Sequence, residues 1–111
     1  MMTARTAAIQ ILTEILRSNY FKNKKMSFIF TAFKDKDVQA MSQMLQDLPA
    51  SFFLCSMGGE RGMGIDELAM YFKNASPALC ETPIQAFQEA IRQTRKNGII
   101  VVAGSLMLVG N

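Results

Sequence analysis

Histidine is absent from all 111 residues. That removes the usual general base, the commonest metal ligand and every serine or cysteine triad that relies on imidazole. Cysteine is nearly absent too. Cys55 and Cys80 stand far apart, each in an apolar setting (Phe52-Phe53-Leu54-Cys55 and Ala78-Leu79-Cys80). A zinc site normally takes four ligands, so these two read as buried, reduced thiols and no metal site is expected. Long hydrophobic runs are missing as well. The longest, Ile99–Ala103, falls far short of the roughly 20 residues of a membrane span. Met1-Met2-Thr3-Ala4 lacks the basic start and apolar stretch of a signal peptide, which makes a cytoplasmic location the expectation. Charge is close to balanced: 12 basic against 9 acidic side chains give +3. Lys22, Lys24 and Lys25 supply most of the excess, and no aromatic-basic interleaving or helix-turn-helix pattern follows them. Neither nucleic acid nor membrane is an expected partner.

What is present is apolar and regularly punctuated. Half of the residues are hydrophobic and 19% are charged, a balance that folds rather than stays disordered. The length fits one domain over residues 1–111, able to bury roughly two thirds of its unfolded surface. Thr3 to Arg17 reads as an amphipathic helix with Ala4, Ala8, Ile11, Leu12, Ile15 and Leu16 at three- and four-residue steps. Met26–Phe33 is a strand candidate whose consecutive Phe28, Ile29 and Phe30 suit burial on both faces. Val38, Met41, Met44, Leu45 and Leu48 give the next helix, closed by Pro49. Ser51–Ser56 is a second apolar strand, followed by the glycine-rich Met57–Gly64. A short helix from Ile65 or Asp66 to about Asn74 leads through Ala75-Ser76-Pro77 into a brief extended piece, Ala78–Glu81.

The last helix carries the clearest punctuation. Thr82-Pro83-Ile84-Gln85 offers a capping threonine, proline at the first helical position and glutamine three residues after the cap. Ile84, Phe87 and Ile91 line one side, Arg92, Arg95 and Lys96 crowd the final turn, and Asn97-Gly98 supplies a left-handed stop. Ile99–Ala103 is then a β-branched strand expected to be buried on both faces, and Gly104-Ser105 turns out of it. Apolar strands alternating with helices indicate an α/β domain in three layers: a mostly parallel, Rossmann-like sheet flanked by helices.

Ligands of such sheets sit beyond the C-terminal strand ends. Two polar segments occupy that edge: Lys34-Asp35-Lys36-Asp37 after the first strand and Gly104-Ser105 after the last, with Gly58–Gly64 a candidate third. Lys34–Asp37 reads either as a solvated helix start with a capping carboxylate or as an anion site in which Lys34 holds a carboxylate or phosphate. Gly104 either just permits a turn or, with the Ser105 hydroxyl, completes a second carboxylate clamp. Gly58–Gly64 has no Gly-Lys-Ser/Thr ending, so no lysine is placed for a nucleotide phosphate, and a surface loop is the expectation.

Thr31-Ala32-Phe33-Lys34-Asp35-Lys36-Asp37-Val38 resembles the Gly-Ala-Leu-Lys-Asp-Lys-Asp segment of folylpolyglutamate synthases and bifunctional dihydrofolate synthases. Gly104-Ser105-Leu106-Met107-Leu108-Val109-Gly110 is similar to the Gly-Ser-Leu/Phe-Tyr-Leu-Val-Gly segment near the end of the same enzymes. The spacing of about 70 residues and the order of intervening elements agree with that family's C-terminal domain, a Mur-ligase-type unit. The resemblance implies an ATP-dependent amide ligase, in which a folate-linked carboxylate is phosphorylated and the amine of L-glutamate attacks the acyl phosphate. It further implies that Lys34 and Ser105 hold the two ends of the incoming glutamate, with Asp35, Asp37 and Gly104 in capping and supporting roles. ATP, magnesium and folate would belong to the full-length enzyme and its N-terminal ATP-binding domain.

Departures from the family's pattern are equally plain. Thr31 stands where the family has glycine and Met107 where it has tyrosine, and no Asp-Gly-Ala-His-Asn-Pro segment precedes Thr3. The expectation is a fragment that carries no catalytic residue and cannot ligate alone, with a poorly covered sheet edge through which it self-associates. Two other readings stand beside this one: a stand-alone anion-binding or interaction module, and the C-terminal domain of a peptidoglycan ligase.

Overall fold

The computed structural model describes residues 4–18, 23–32, 38–56, 58–60, 62–94 and 98–104. Helix α1 (Ala4–Leu16) precedes strand β1 (Lys25–Thr31), and α2 (Val38–Gln46) leads to β2 (Ala50–Cys55). Next come α3 (Ile65–Tyr71), a 3-10 turn at Lys73–Ala75, β3 (Ala78–Cys80), α4 (Pro83–Thr94) and β4 (Gly98–Gly104). The strands form one parallel sheet in the order β3-β2-β1-β4. The brief extended piece at Ala78 is thus a full member of the sheet, paired with β2 from Phe53↔Ala78 to Cys55↔Cys80.

Side chains of a strand alternate between faces, and β1 uses both. Met26, Phe28 and Phe30 join Phe52 and Leu54 of β2 on one side, where α1, α2 and α3 contribute Leu16, Val38, Met41, Leu45 and Leu68. On the other side Ile29, Phe53, Cys55 and Cys80 pack, among the described residues, against Ala86 and Ala90 of α4. The result is the expected three-layer α/β arrangement. The rings of Phe30 and Phe72 are 5.2 Å apart and those of Phe52 and Phe72 5.4 Å, which locks the start of the 3-10 turn onto the sheet.

Three details differ from the sequence reading. The side of α4 marked by Ile84, Phe87 and Ile91 faces outward, with those residues 71%, 45% and 55% exposed. The buried side is Ala86, Ala90 and Thr94. Small side chains let the helix lie close to the sheet, so packing distance outweighed hydrophobic size. Likewise Ile11 and Ile15 of α1 are exposed, while Ile9, Thr13 and Leu16 are buried. Finally, β4 is half-buried from Gly98 to Val102 rather than covered on both faces, because it pairs with β1 alone among the described residues.

The outward side of α4 gives a direct test. Ile84→Ser combined with Ile91→Ser should change stability by less than about 0.5 kcal/mol in urea unfolding, as surface substitutions do. Had these side chains formed the buried face, the loss would be several kcal/mol.

Local punctuation otherwise follows the sequence closely. Thr82 Oγ1 accepts from the Gln85 amide at 3.1 Å, and Gln85 Oε1 accepts from the Glu81 amide at 2.7 Å, a reciprocal cap shifted by one residue at its outer bond. Asp66 and Glu67 occupy the first turn of α3, where negative charge suits the helix dipole.

Candidate functional site

The strand order fixes where a ligand would sit. β1 passes to β2, and β2 to β3, through helices on one side of the sheet. β3 passes to β4 through α4 on the other side, across to the far edge. The direction of winding therefore reverses between β1 and β4. In open α/β sheets the crevice beyond the C-terminal strand ends at such a reversal is the usual binding place.

β1 and β4 run in parallel register from Lys25↔Gly98 to Thr31↔Gly104. Their last paired residues are thus hydrogen-bonded neighbours at the reversal point. Lys34 follows Thr31 by three residues and Ser105 follows Gly104 directly in the sequence. Lys34, Asp35, Asp37 and Ser105 themselves lie outside the described residues, and of the expected site residues only Gly104 falls within them.

The glycine loop also reaches this end. The Met63 amide donates to Ala32 O at 2.9 Å, tying the loop to the chain just beyond β1. Ser56 Oγ accepts from the Gly58 amide at 3.1 Å and donates to Met63 O at 3.2 Å, so one hydroxyl closes the loop from within. Gly58 and Gly59 carry φ of +77° and +73°, a region glycine enters without strain. Its described tip, Gly58–Glu60, is exposed, in line with a surface loop.

Two features escaped the sequence reading. Thr94 Oγ1 donates to Ser27 Oγ at 2.6 Å in a buried pair that fastens the end of α4 to the start of β1. Thr31, on the same side of β1 as Ser27 and Ile29, is fully buried, and its Oγ1 has no hydrogen-bond partner. Strand alternation could have placed all three on one side, but only coordinates show which hydroxyl is paired.

Cys55 and Cys80 are register partners on β2 and β3, and both are free and buried. Burial first, and then the neighbouring Cys80 sulfur, push the Cys55 thiol up to about 11. Cys80 is raised too, chiefly by burial and further by Glu89. Both thiols stay protonated near neutral pH, which suits a packing role and not a nucleophile.

A cleft of about 430 Å³ opens at the opposite end of the sheet, lined by Lys25, Gln46, Ser51 and mainly apolar neighbours. It lies at the starts of β1 and β2, away from the strand ends at the reversal, and among the described residues no second cation lines it beside Lys25. Among the described residues no group of three histidine, cysteine, aspartate or glutamate side chains could hold a metal ion, and no helix is long and apolar enough to cross a membrane.

No known family profile matches the sequence, and no curated protein matches it. Solved structures do match in fold. E. coli FolC in complex with DHPP and ADP superposes with a TM-score of 0.86 at 19% identity, over 97% of this chain and 25% of that one. A Yersinia pestis bifunctional folylpolyglutamate synthase/dihydrofolate synthase complexed with AMPPNP and Mn gives 0.85 at 18% identity, over 97% and 25%. A further bifunctional enzyme of this kind, with Mn, AMPPNP and L-glutamate bound, gives 0.78 at 16% identity, over 93% and 24%. The chain spans about a quarter of the length of each structure. The Rossmann-like layering and the likeness to folylpolyglutamate synthases expected from the sequence are both present in the structure.

Proposed function

We propose that this chain is the glutamate-holding, C-terminal domain of an ATP-dependent amide ligase of the folylpolyglutamate synthase type. The observation that carries the reading is the Thr31↔Gly104 pairing at the reversal point, which brings the strand ends preceding Lys34 and Ser105 side by side. The fold likeness to ligases solved with nucleotide, manganese, DHPP and L-glutamate supports the substrate class.

In this reading the Lys34 ammonium pairs with one carboxylate of L-glutamate, and the Ser105 hydroxyl with exposed amides binds its other end. Fixing both ends orients the free amine toward the carboxyl carbon it attacks, which converts an encounter of two solutes into a positioned one. Asp35, Asp37 and Gly104 support these contacts and take no part in the chemistry. ATP with magnesium supplies the activation of the folate carboxyl, and the described residues offer neither a phosphate cradle with lysine nor a metal cluster. Those groups belong to an N-terminal ATP-binding domain, and the complete enzyme works in the cytoplasm.

Amide shifts of the isotope-labelled chain on titration with L-glutamate test this. Shifts should appear at Thr31, Ala32 and Gly104, and Lys34→Ala should weaken binding by roughly tenfold or more, the scale of one charged hydrogen bond. Saturable shifts that leave these strand ends untouched, or a Lys34→Ala titration identical to the parent, would remove the glutamate assignment. Reading the coding frame upstream separates a ligase domain from a stand-alone binding module: a P-loop and a His-Asn-Pro segment in frame are expected.

A further inference from the structure

α4 carries apolar side chains on two opposite sides, and the fold uses only one of them. Ala86, Ala90 and Thr94 face the sheet, while Ile84, Phe87 and Ile91 are exposed. Steps of three and four residues put those three on one strip of the helix, so they form a contiguous patch and not scattered single residues. A surface helix normally turns a polar side outward, and one that is apolar on both sides is built to be covered on both. The strip is symmetric along its length. Ile84 and Ile91 flank Phe87 and Gln88, whose midpoint lies about 5 Å from each of them along the axis. Charge beside the strip is opposite at its two ends: Glu81 stands just ahead of the helix, Arg92 lies in its last turn, and both are exposed. Glu89, the other charge of α4, is already held by Arg92. A guanidinium has five N–H donors, which leaves Arg92 others to offer.

We propose that this side of α4 docks onto the same side of a second copy of the chain, the two helices antiparallel about a two-fold axis that passes between Phe87 and Gln88. In that register Ile84 of each copy lies against the partner's Ile91, and the two Phe87 rings meet beside the axis. Arg92 then comes level with the partner's Pro83, two residues or about 3 Å along the axis from the partner's Glu81, within reach of its carboxylate. The parallel arrangement would set Glu81 against Glu81 and Arg92 against Arg92, so charge selects the antiparallel one. What complements an apolar strip that is acidic at one end and basic at the other is the same strip reversed, which is the isologous contact of a two-fold dimer. The exposed ion pairs fix orientation and contribute little affinity. Three large apolar side chains per copy make an interface at the low end of specific ones, below about 1,200 Å² in total. The dimer therefore forms at high concentration and is dissociated at the dilution of an unfolding experiment.

Sedimentation equilibrium of the 111-residue chain tests this, from about 10 µM to about 1 mM, the range in which so small an interface should assemble. The average mass is expected to rise from one chain toward two and no further. Ile84→Ser combined with Ile91→Ser should hold the mass at one chain throughout, with melting at low concentration unchanged. Glu81→Arg alone and Arg92→Glu alone should each weaken association by about three- to tenfold, and the two together in one chain should restore it to within about twofold of the parent. A mass of one chain at every concentration overturns the proposal and leaves this face to a different partner. Association that persists in the double serine variant places the contact elsewhere, the free edge of β4 included, and overturns it too. Growth past two copies excludes a closed two-fold pair. Charge reversals that weaken association without mutual rescue rule out the antiparallel register, and the proposal falls with it.

Discussion

Phe30→Ala is expected to cost about 3–5 kcal/mol in urea unfolding, the range for deleting a fully buried ring. Phe30 has no exposed surface, sits in the middle of the sheet on β1, and packs against Phe72 at a centroid distance of 5.2 Å. Phe52 bridges that pair to Phe28, with centroids 5.4 Å and 5.7 Å away. Alanine at this position therefore opens a cavity beside the three remaining rings and forfeits an aromatic contact worth about 0.5–1.5 kcal/mol beyond its area. Domains of this kind hold only about 5–15 kcal/mol in all, so much of the stability goes with one side chain. Phe30→Leu keeps an apolar body in place and should lose markedly less. A loss below about 1 kcal/mol for Phe30→Ala would mean that the ring cluster does not hold the sheet to α3. The variant also serves as a control for the binding work. Phe30 adjoins Thr31, so it separates loss of glutamate response through unfolding from loss through a missing contact.

Much of this architecture was legible from local chemistry. The Thr82-Pro83 cap acts within a few residues, so its meaning is complete in the sequence, and α4 begins where it says. The run Phe28-Ile29-Phe30 forces a strand with two covered faces, because no half-exposed strand would place three such residues in succession. Strand order was not legible, since apolar pattern carries no record of which edge a strand joins; β4 lies beside β1, not beside β3. For the same reason the reversal point between β1 and β4, which locates the crevice, came only from the fold. The inner side of α4 was misread because hydrophobicity measures transfer from water, whereas a helix seated close to a sheet selects small side chains such as Ala86 and Ala90. The pairing of Ser27 depends on Thr94, 67 positions away, beyond any local reading. Lys34 and Ser105 were singled out by the resemblance and by their distance from a strand end, and their role is what the titrations decide.

Gly98→Ala should destabilise the chain by about 2–3 kcal/mol or more, the scale of overpacking a tight interior. The sequence assigns this glycine to a left-handed helix stop. In the structure it opens β4 without a left-handed φ, and its necessity is one of space. A Cβ there would stand 2.1 Å from Thr94 Cγ2, 2.7 Å from Lys25 O and 2.9 Å from Thr94 O. Two of these are backbone atoms in a helix and a strand, which cannot step aside as a flexible side chain would. The third belongs to the threonine whose hydroxyl binds Ser27, so relieving the clash also strains the buried hydroxyl pair. α4 must then lift from β4, and the close approach that made its alanines the buried face is lost. Gly64→Ala is the matching control: nothing lies within 4 Å of its Cβ and its φ is −64°. It should be neutral or stabilising by up to about 1 kcal/mol through the unfolded chain. Equal melting temperatures for Gly98→Ala and Gly64→Ala would show that α4 stands farther from β4 than these contacts require. The account of why its outward side is the more hydrophobic one would then fail.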